Sequence, residues 1–152
     1  MKTRQISVLV SNRAGRLASV ARVLRDEGIN IRALSMADAP DFGIFRLIVR
    51  EVDRAVEALK AQGFVVDVTD VVGVEVEDRP GGLATILETL AGRSVNVEYM
   101  YAFLTERQGR ALIFFRFDDA DGALAVLNGA DVPVVSGDRL WSLADSGRED
   151  AQ

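Results

Sequence analysis

The chain has 152 residues with neither cysteine nor histidine, which excludes disulfides, thiolate nucleophiles, His-dependent triads and Cys/His zinc sites. A net charge of −5, from dispersed acidic and basic residues, argues against nucleic acid, because phosphate binding draws on clustered Lys and Arg. Half the residues are hydrophobic (49%), yet no apolar run approaches the roughly 20 residues that span a bilayer and no leader opens the chain, so a cytoplasmic protein without a membrane anchor is expected.

In chain order, Ile6, Val8 and Val10 alternate with Ser7, Leu9 and Ser11, the period of a strand. Leu17, Val20, Ala21 and Leu24 then recur at the spacing of an amphipathic helix, with Gly28 as its stop. Residues 29–37 read as a second strand, 38–43 as a turn containing Pro40, and 42–50 as a third strand. A second helix places Val52, Ala55, Val56 and Leu59 on one face, Gly63 closes it, and residues 64–68 make a fourth strand.

The pattern then starts again. Val72, Val74 and Val76 form a strand; Pro80 fits a first helical turn; Leu83, Ile86, Leu87 and Leu90 line a helix. Residues 95–104 are the next strand and 105–109 its turn. Ile113, Phe115 and Phe117 follow as the inward side of a third strand, matching Phe45, Leu47 and Val49. Asp118, Asp119 and Asp121 open a helix carrying Ala120, Ala123, Leu124 and Leu127, where acids cap the end and complement the dipole. Residues 132–135 echo the fourth strand, and 137–143 form a short helix or edge strand with Trp141 as an anchor.

The repetition has a register. Asn12-Arg13-Ala14-Gly15-Arg16-Leu17-Ala18 returns 66 positions later as Asp78-Arg79-Pro80-Gly81-Gly82-Leu83-Ala84, and Asn30-Ile31 returns as Asn96-Val97. After the hairpin the offset becomes 68, so two residues were gained where insertion is best tolerated. A repeat this long is a duplicated domain rather than a solenoid unit. The expected fold is α+β: two ferredoxin-like βαββαβ domains in tandem, antiparallel sheets with helices on one face, over residues 1–71 and 72–145, with 146–152 a disordered tail. Each half is small, so the halves are expected to share a core or the chain to dimerise. Leu9, Ile48 and Phe114 fall on the opposite face among Arg46 and Arg116, and another sheet is expected to cover them.

The loop from strand one to helix one carries the chemistry. Gly15 lacks a Cβ, so a ligand can approach the backbone, and a helix N-terminus offers unpaired N–H groups to an anion such as a carboxylate. Arg13 or Arg16 can add charge-assisted hydrogen bonds, and the Asn30 amide can read an ammonium group. The conservative alternative is that Gly15 and Gly81 permit tight packing while Asn30 and Asn96 cap turns. Neither GxGxxG nor GxxxxGK[ST] is present.

With Asn12 to Ala18 followed by Glu27-Gly28-Ile29-Asn30-Ile31, the chain resembles the ACT domains, and as a whole a tandem ACT-domain protein; the resemblance covers about residues 4–136. It implies a regulatory module that binds amino acids at domain interfaces through the loop after strand one and the start of strand two. Carried onto this chain, the implied ligand-binding residues are Asn12, Arg13, Ala14, Gly15, Arg16, Leu17, Asn30 and Ile31, with Asp78, Arg79, Pro80, Gly81, Gly82, Leu83, Asn96 and Val97 as the second set. The resemblance also implies a homodimer that signals to a partner enzyme or regulator, with no catalytic residue, metal or cofactor. One rival is a ligand-independent adaptor of a biosynthetic enzyme. Another is an acylphosphatase-like hydrolase, whose Gly- and Val-rich phosphate loop is missing here. Tyr99, Met100, Tyr101 and Phe103 replace Ala33, Leu34, Ser35 and Ala37; they read as packing, or as the sign that the two copies have different pockets.

Overall fold

The computed structural model describes residues 1–38, 40–107 and 109–146. Its elements are β1 (Thr3–Ser11), α1 (Arg16–Asp26), β2 (Ile31–Asp38), β3 (Phe42–Val49), α2 (Val52–Ala61), β4 (Val65–Glu77), α3 (Gly82–Ala91), β5 (Val97–Arg107), β6 (Arg110–Phe117), α4 (Ala120–Gly129), β7 (Val134–Val135) and α5 (Gly137–Ser146). They form two compact units, one of Arg4–Thr69 and one of Met1–Thr3 with the chain from Asp70 onward.

In the first unit the strand order is β2-β3-β1-β4, and in the second it is β7-β4-β6-β5. Both orders are those of a βαββαβ fold with its helices on one face of an antiparallel sheet. The alternation of β1 sends Ile6, Val8 and Val10 inward to meet Phe45, Leu47 and Val49 of β3 and Val20, Leu24, Ala55 and Leu59 of the helices. Val72, Val74 and Val76 meet Ile113, Phe115, Phe117, Ile86, Leu90 and Leu127 in the same way. Phe115 and Phe117 stack with centroids 5.8 Å apart. Full burial of each such side chain contributes about 1.5–3 kcal/mol. Each unit has its own buried cluster.

Several boundaries differ from the sequence reading. The fourth strand of the first repeat and the first strand of the second are one continuous strand, β4, because no Gly-Pro turn separates Val68 from Val72. Val66 and Val68 pack on the first cluster, and Val72 to Val76 on the second. In α1, Leu17 remains 45% exposed. Its place over the core is taken by Arg16, whose guanidinium carbon lies 4.8 Å from the centre of the Phe64 ring, a cation–π arrangement. Ala21 is also exposed, so Val20, Val23 and Leu24 form the inward face. Pro80 stands before the α3 N-cap, Gly81, rather than within the first turn. Strand β5 continues to Arg107 across an irregularity after Phe103, shortening the expected 105–109 turn.

The C-terminal segment is helix α5, and its buried anchor is Leu140, with Trp141 only half-buried. Arg139 pairs with Glu75 at 2.6 Å, and Arg110 pairs with the other Glu75 oxygen at 3.0 Å. Glu75 alternates with the core-facing Val74 and Val76, so these pairs put α5 on the sheet face opposite α3 and α4. Leu112, Phe114 and Val135 are buried on that face. Tyr101 packs on Phe114 at 5.6 Å between ring centres. Within the second unit, then, a helix lies over the face for which a sheet was expected. Of the expected disordered tail, Ser146 closes α5 and residues 147–152 lie outside the described residues.

Candidate ligand-binding loops

The two loops from strand to helix are built alike. Gly15 is the N-cap of α1 with φ 84°, and Gly81 is the N-cap of α3 with φ 89°. An L side chain in this left-handed conformation is disfavoured, so glycine is the default here. A Cβ at either glycine would meet nothing within 4 Å. Tight packing thus does not account for these glycines; backbone conformation does, and the space above them is open.

The hydrogen bonds repeat as well. Arg13 N–H donates to the Ser11 carbonyl at 2.8 Å, and Arg79 N–H to the Glu77 carbonyl at 2.9 Å. Asn12 N–H donates to Asp41 at 3.1 Å, and Asp78 N–H to Gly109 at 2.7 Å. Ser19 and Thr85 each donate a hydroxyl and a backbone N–H to the N-cap glycine carbonyl. The copies diverge in two places. Glu77 pairs with Arg79, whereas Ser11 stands at the corresponding place beside Arg13. Gly82 is buried against the Glu77 carbonyl, where a Cβ would collide, while Arg16 fills that position in the first copy. The Gly81-Gly82 pair thus combines one conformational and one steric requirement.

Asn12, Arg13, Ala14, Gly15 and Leu17 are exposed, as are Asp78, Arg79, Pro80 and Gly81; Arg16 and Leu83 are half-buried. Asn30 and Asn96 are exposed at the starts of β2 and β5, and Ile31 and Val97 behind them are half-buried against the cores. These asparagines do not join the loop of their own copy. In the β3 register Ser11 lies opposite Phe42, while Ile31 lies opposite Val49. Seven residues of extended strand separate those ends, about 24 Å. The second copy has the same layout, with Glu77 opposite Arg110 and Val97 opposite Phe117. An amino acid on one loop therefore touches Gly15 or Asn30 of the same copy, not both.

A feature outside the sequence-derived set is a cleft of about 450 Å³ between α1 and α2, lined by Arg16, Ser19, Arg22 and Phe64 among others. Its signal in the sequence is the i, i+3, i+6 run of Arg16, Ser19 and Arg22. Among the described residues, no group of acidic residues is placed to hold a metal, and no helix is long and apolar enough to cross a membrane.

A family profile for an ACT domain pair matches residues 1–144. The chain belongs to the ACT-domain family. A crystal structure of a Bacteroides thetaiotaomicron protein is similar to this ACT domain pair, with 38% identity over 93% of this chain and 96% of that one and a TM-score of 0.87. The regulatory subunit of aspartate kinase from Thermus thermophilus, in its ligand-free form, has 21% identity over 84% and 91% of the two chains and a TM-score of 0.61. The corresponding subunit from Thermus flavus has 17% identity over 86% and 93%, with a TM-score of 0.60. At these identities the Thermus chains share the fold of the ACT pair. A search of curated proteins returns no match.

Proposed function

We propose that this ACT domain pair is a non-catalytic sensor that binds a small amino acid at its strand-to-helix loops and passes the binding energy to a metabolic enzyme or regulator. The observation that carries this reading is the paired left-handed glycine with open space above it, Gly15 and Gly81, at the mouth of a helix. A carboxylate there would accept backbone N–H bonds and meet the positive end of the helix dipole. The first loop is the better receptor, because among the described residues Arg13 has no acid partner such as Glu77 provides for Arg79. Since Asn30 lies about 24 Å from the loop of its own copy, an ammonium reader at that loop comes from another ACT unit, and we place it in a second copy of the chain. Exposed Leu34 and Met36 on the edge strand β2 support such a homodimer. Ligand would then favour one packing of the protomers and shift an equilibrium felt by the partner. The cytoplasm is the compartment in which such a sensor would meet its ligand.

A thermal-shift screen with the twenty amino acids is the direct test. At least one should raise the melting temperature in a saturable way. Gly15→Asn should abolish that shift while folding normally, because Asn tolerates the left-handed conformation and its side chain enters the open space. Gly15→Ala should cost about 1 kcal/mol of stability through backbone strain alone. Asn30→Ala should weaken binding more than Asn96→Ala. Silence across the panel would favour the ligand-independent adaptor instead.

A further inference from the structure

The cleft between α1 and α2 of the first unit shares only Arg16 with the loop just described. Its walls carry Arg16 and Arg22, and its apolar lining includes Val23, Ala58, Ala61 and Phe64. Two acids also line it, each paired with an arginine outside the lining: Asp26 with Arg25 at 2.7 Å, and Glu27 with Arg54 at 3.7 Å. Arg16 and Arg22 have no carboxylate partner among the described residues. In a chain of net charge −5, two unpaired guanidinium groups on one concave surface form a local positive field.

Both groups are also held in place. Arg16 is stacked on Phe64, and its Nε is buried without a hydrogen-bond partner. Arg22 donates to the Ser19 hydroxyl at 3.2 Å, and Ser19 in turn donates to the Gly15 carbonyl at 2.9 Å. The second repeat supplies an internal comparison. At the corresponding positions it has Gly82 in place of Arg16 and Val132 in place of Phe64. Glu88 stands where the first copy has Arg22. The fold by itself therefore requires neither the arginines nor the ring.

We propose that the α1–α2 cleft of the first unit binds a small organic oxyanion, a phosphate ester or a dicarboxylate, between the guanidinium groups of Arg16 and Arg22, with its carbon skeleton against Phe64. Guanidinium forks match both kinds of oxyanion by paired, charge-assisted hydrogen bonds. The site stands independently of the amino-acid reading of the loops.

The test titrates the full chain with inorganic phosphate and, separately, with malonate, by calorimetry at matched ionic strength. Saturable binding of at least one probe below about 10 mM is expected, and the stronger probe identifies the head group. Arg22→Gln should weaken it about tenfold or more, as should Arg16→Gln, while Arg93→Gln, at an exposed arginine of the other unit, binds as the unaltered chain does. Arg22 is exposed and unstacked, so its variant separates binding from folding. The proposal is overturned if neither probe saturates, if Arg22→Gln binds as before, or if Gly15→Asn abolishes binding while Arg22→Gln does not.

Discussion

At the scale of single residues, the duplication shows which local requirements the backbone imposes whatever the side chain. Each of the four helices α1 to α4 ends in the same way. Gly28 N–H donates to Arg25 and Ile29 N–H to Leu24, a Schellman cap with Gly28 at φ 67° and with Leu24 and Ile29 both in the core. Gly63 does the same for α2 at φ 82°. In the second copy the corresponding residues are Ser94 at φ 56° and Asp131 at φ 55°, with the same bonds from Val95 to Leu90 and from Val132 to Leu127. Non-glycine residues pay conformational strain there. Ser94→Gly should therefore raise stability by about 0.5–1 kcal/mol, and Asp131→Gly by less, because Asp tolerates this region better. Chemical denaturation of the two variants checks the order; an unchanged midpoint for Ser94→Gly would mean that the bonds already offset the strain.

At the scale of elements, α5 shows why the second copy differs from the first. It has no counterpart in the first unit, and it lies over the face that carries Leu112, Phe114 and Tyr101. The aromatic residues of β5 that replace Ala33, Ser35 and Ala37 thus have a packing explanation on the side opposite α3 and α4. Docking rests on Leu140 and on Glu75, only 9% exposed, which meets two arginines. Leu140→Ala should cost about 2–3 kcal/mol of the docked state. Trp141 is the sole tryptophan, so its emission should shift to the red in this variant while far-ultraviolet circular dichroism changes little. An unchanged emission would show that α5 stays docked without Leu140. The helix was only half legible in the sequence, because 137–143 fits a short helix or an edge strand equally well, and contact with Glu75 selects between them. The continuous β4 was hidden for a related reason: periodicity of two reports a strand but not where one domain hands over to the next.

At the scale of the whole molecule, three of the exposed apolar residues lie on the edge strands β2 and β5. Leu34 is 54% exposed and Met36 44% on β2, and Met100 is 39% exposed on β5. Unprotected apolar edges favour pairing with another chain. The proposed homodimer should therefore sediment as such at micromolar concentration, and Leu34→Lys should shift it to monomer; a monomeric unaltered chain would remove the two-chain pocket. Composition, the offset of 66 and two hydrophobic periods were enough to derive the duplicated βαββαβ fold and the glycine loops, because these depend on local backbone geometry and on which face of each element is apolar. They could not place Asn30 at the far end of β3 from Gly15, seat Arg16 rather than Leu17 over Phe64, or open a cleft at Arg22. Those follow from strand direction and side-chain packing, which bring together or separate residues irrespective of their spacing along the chain.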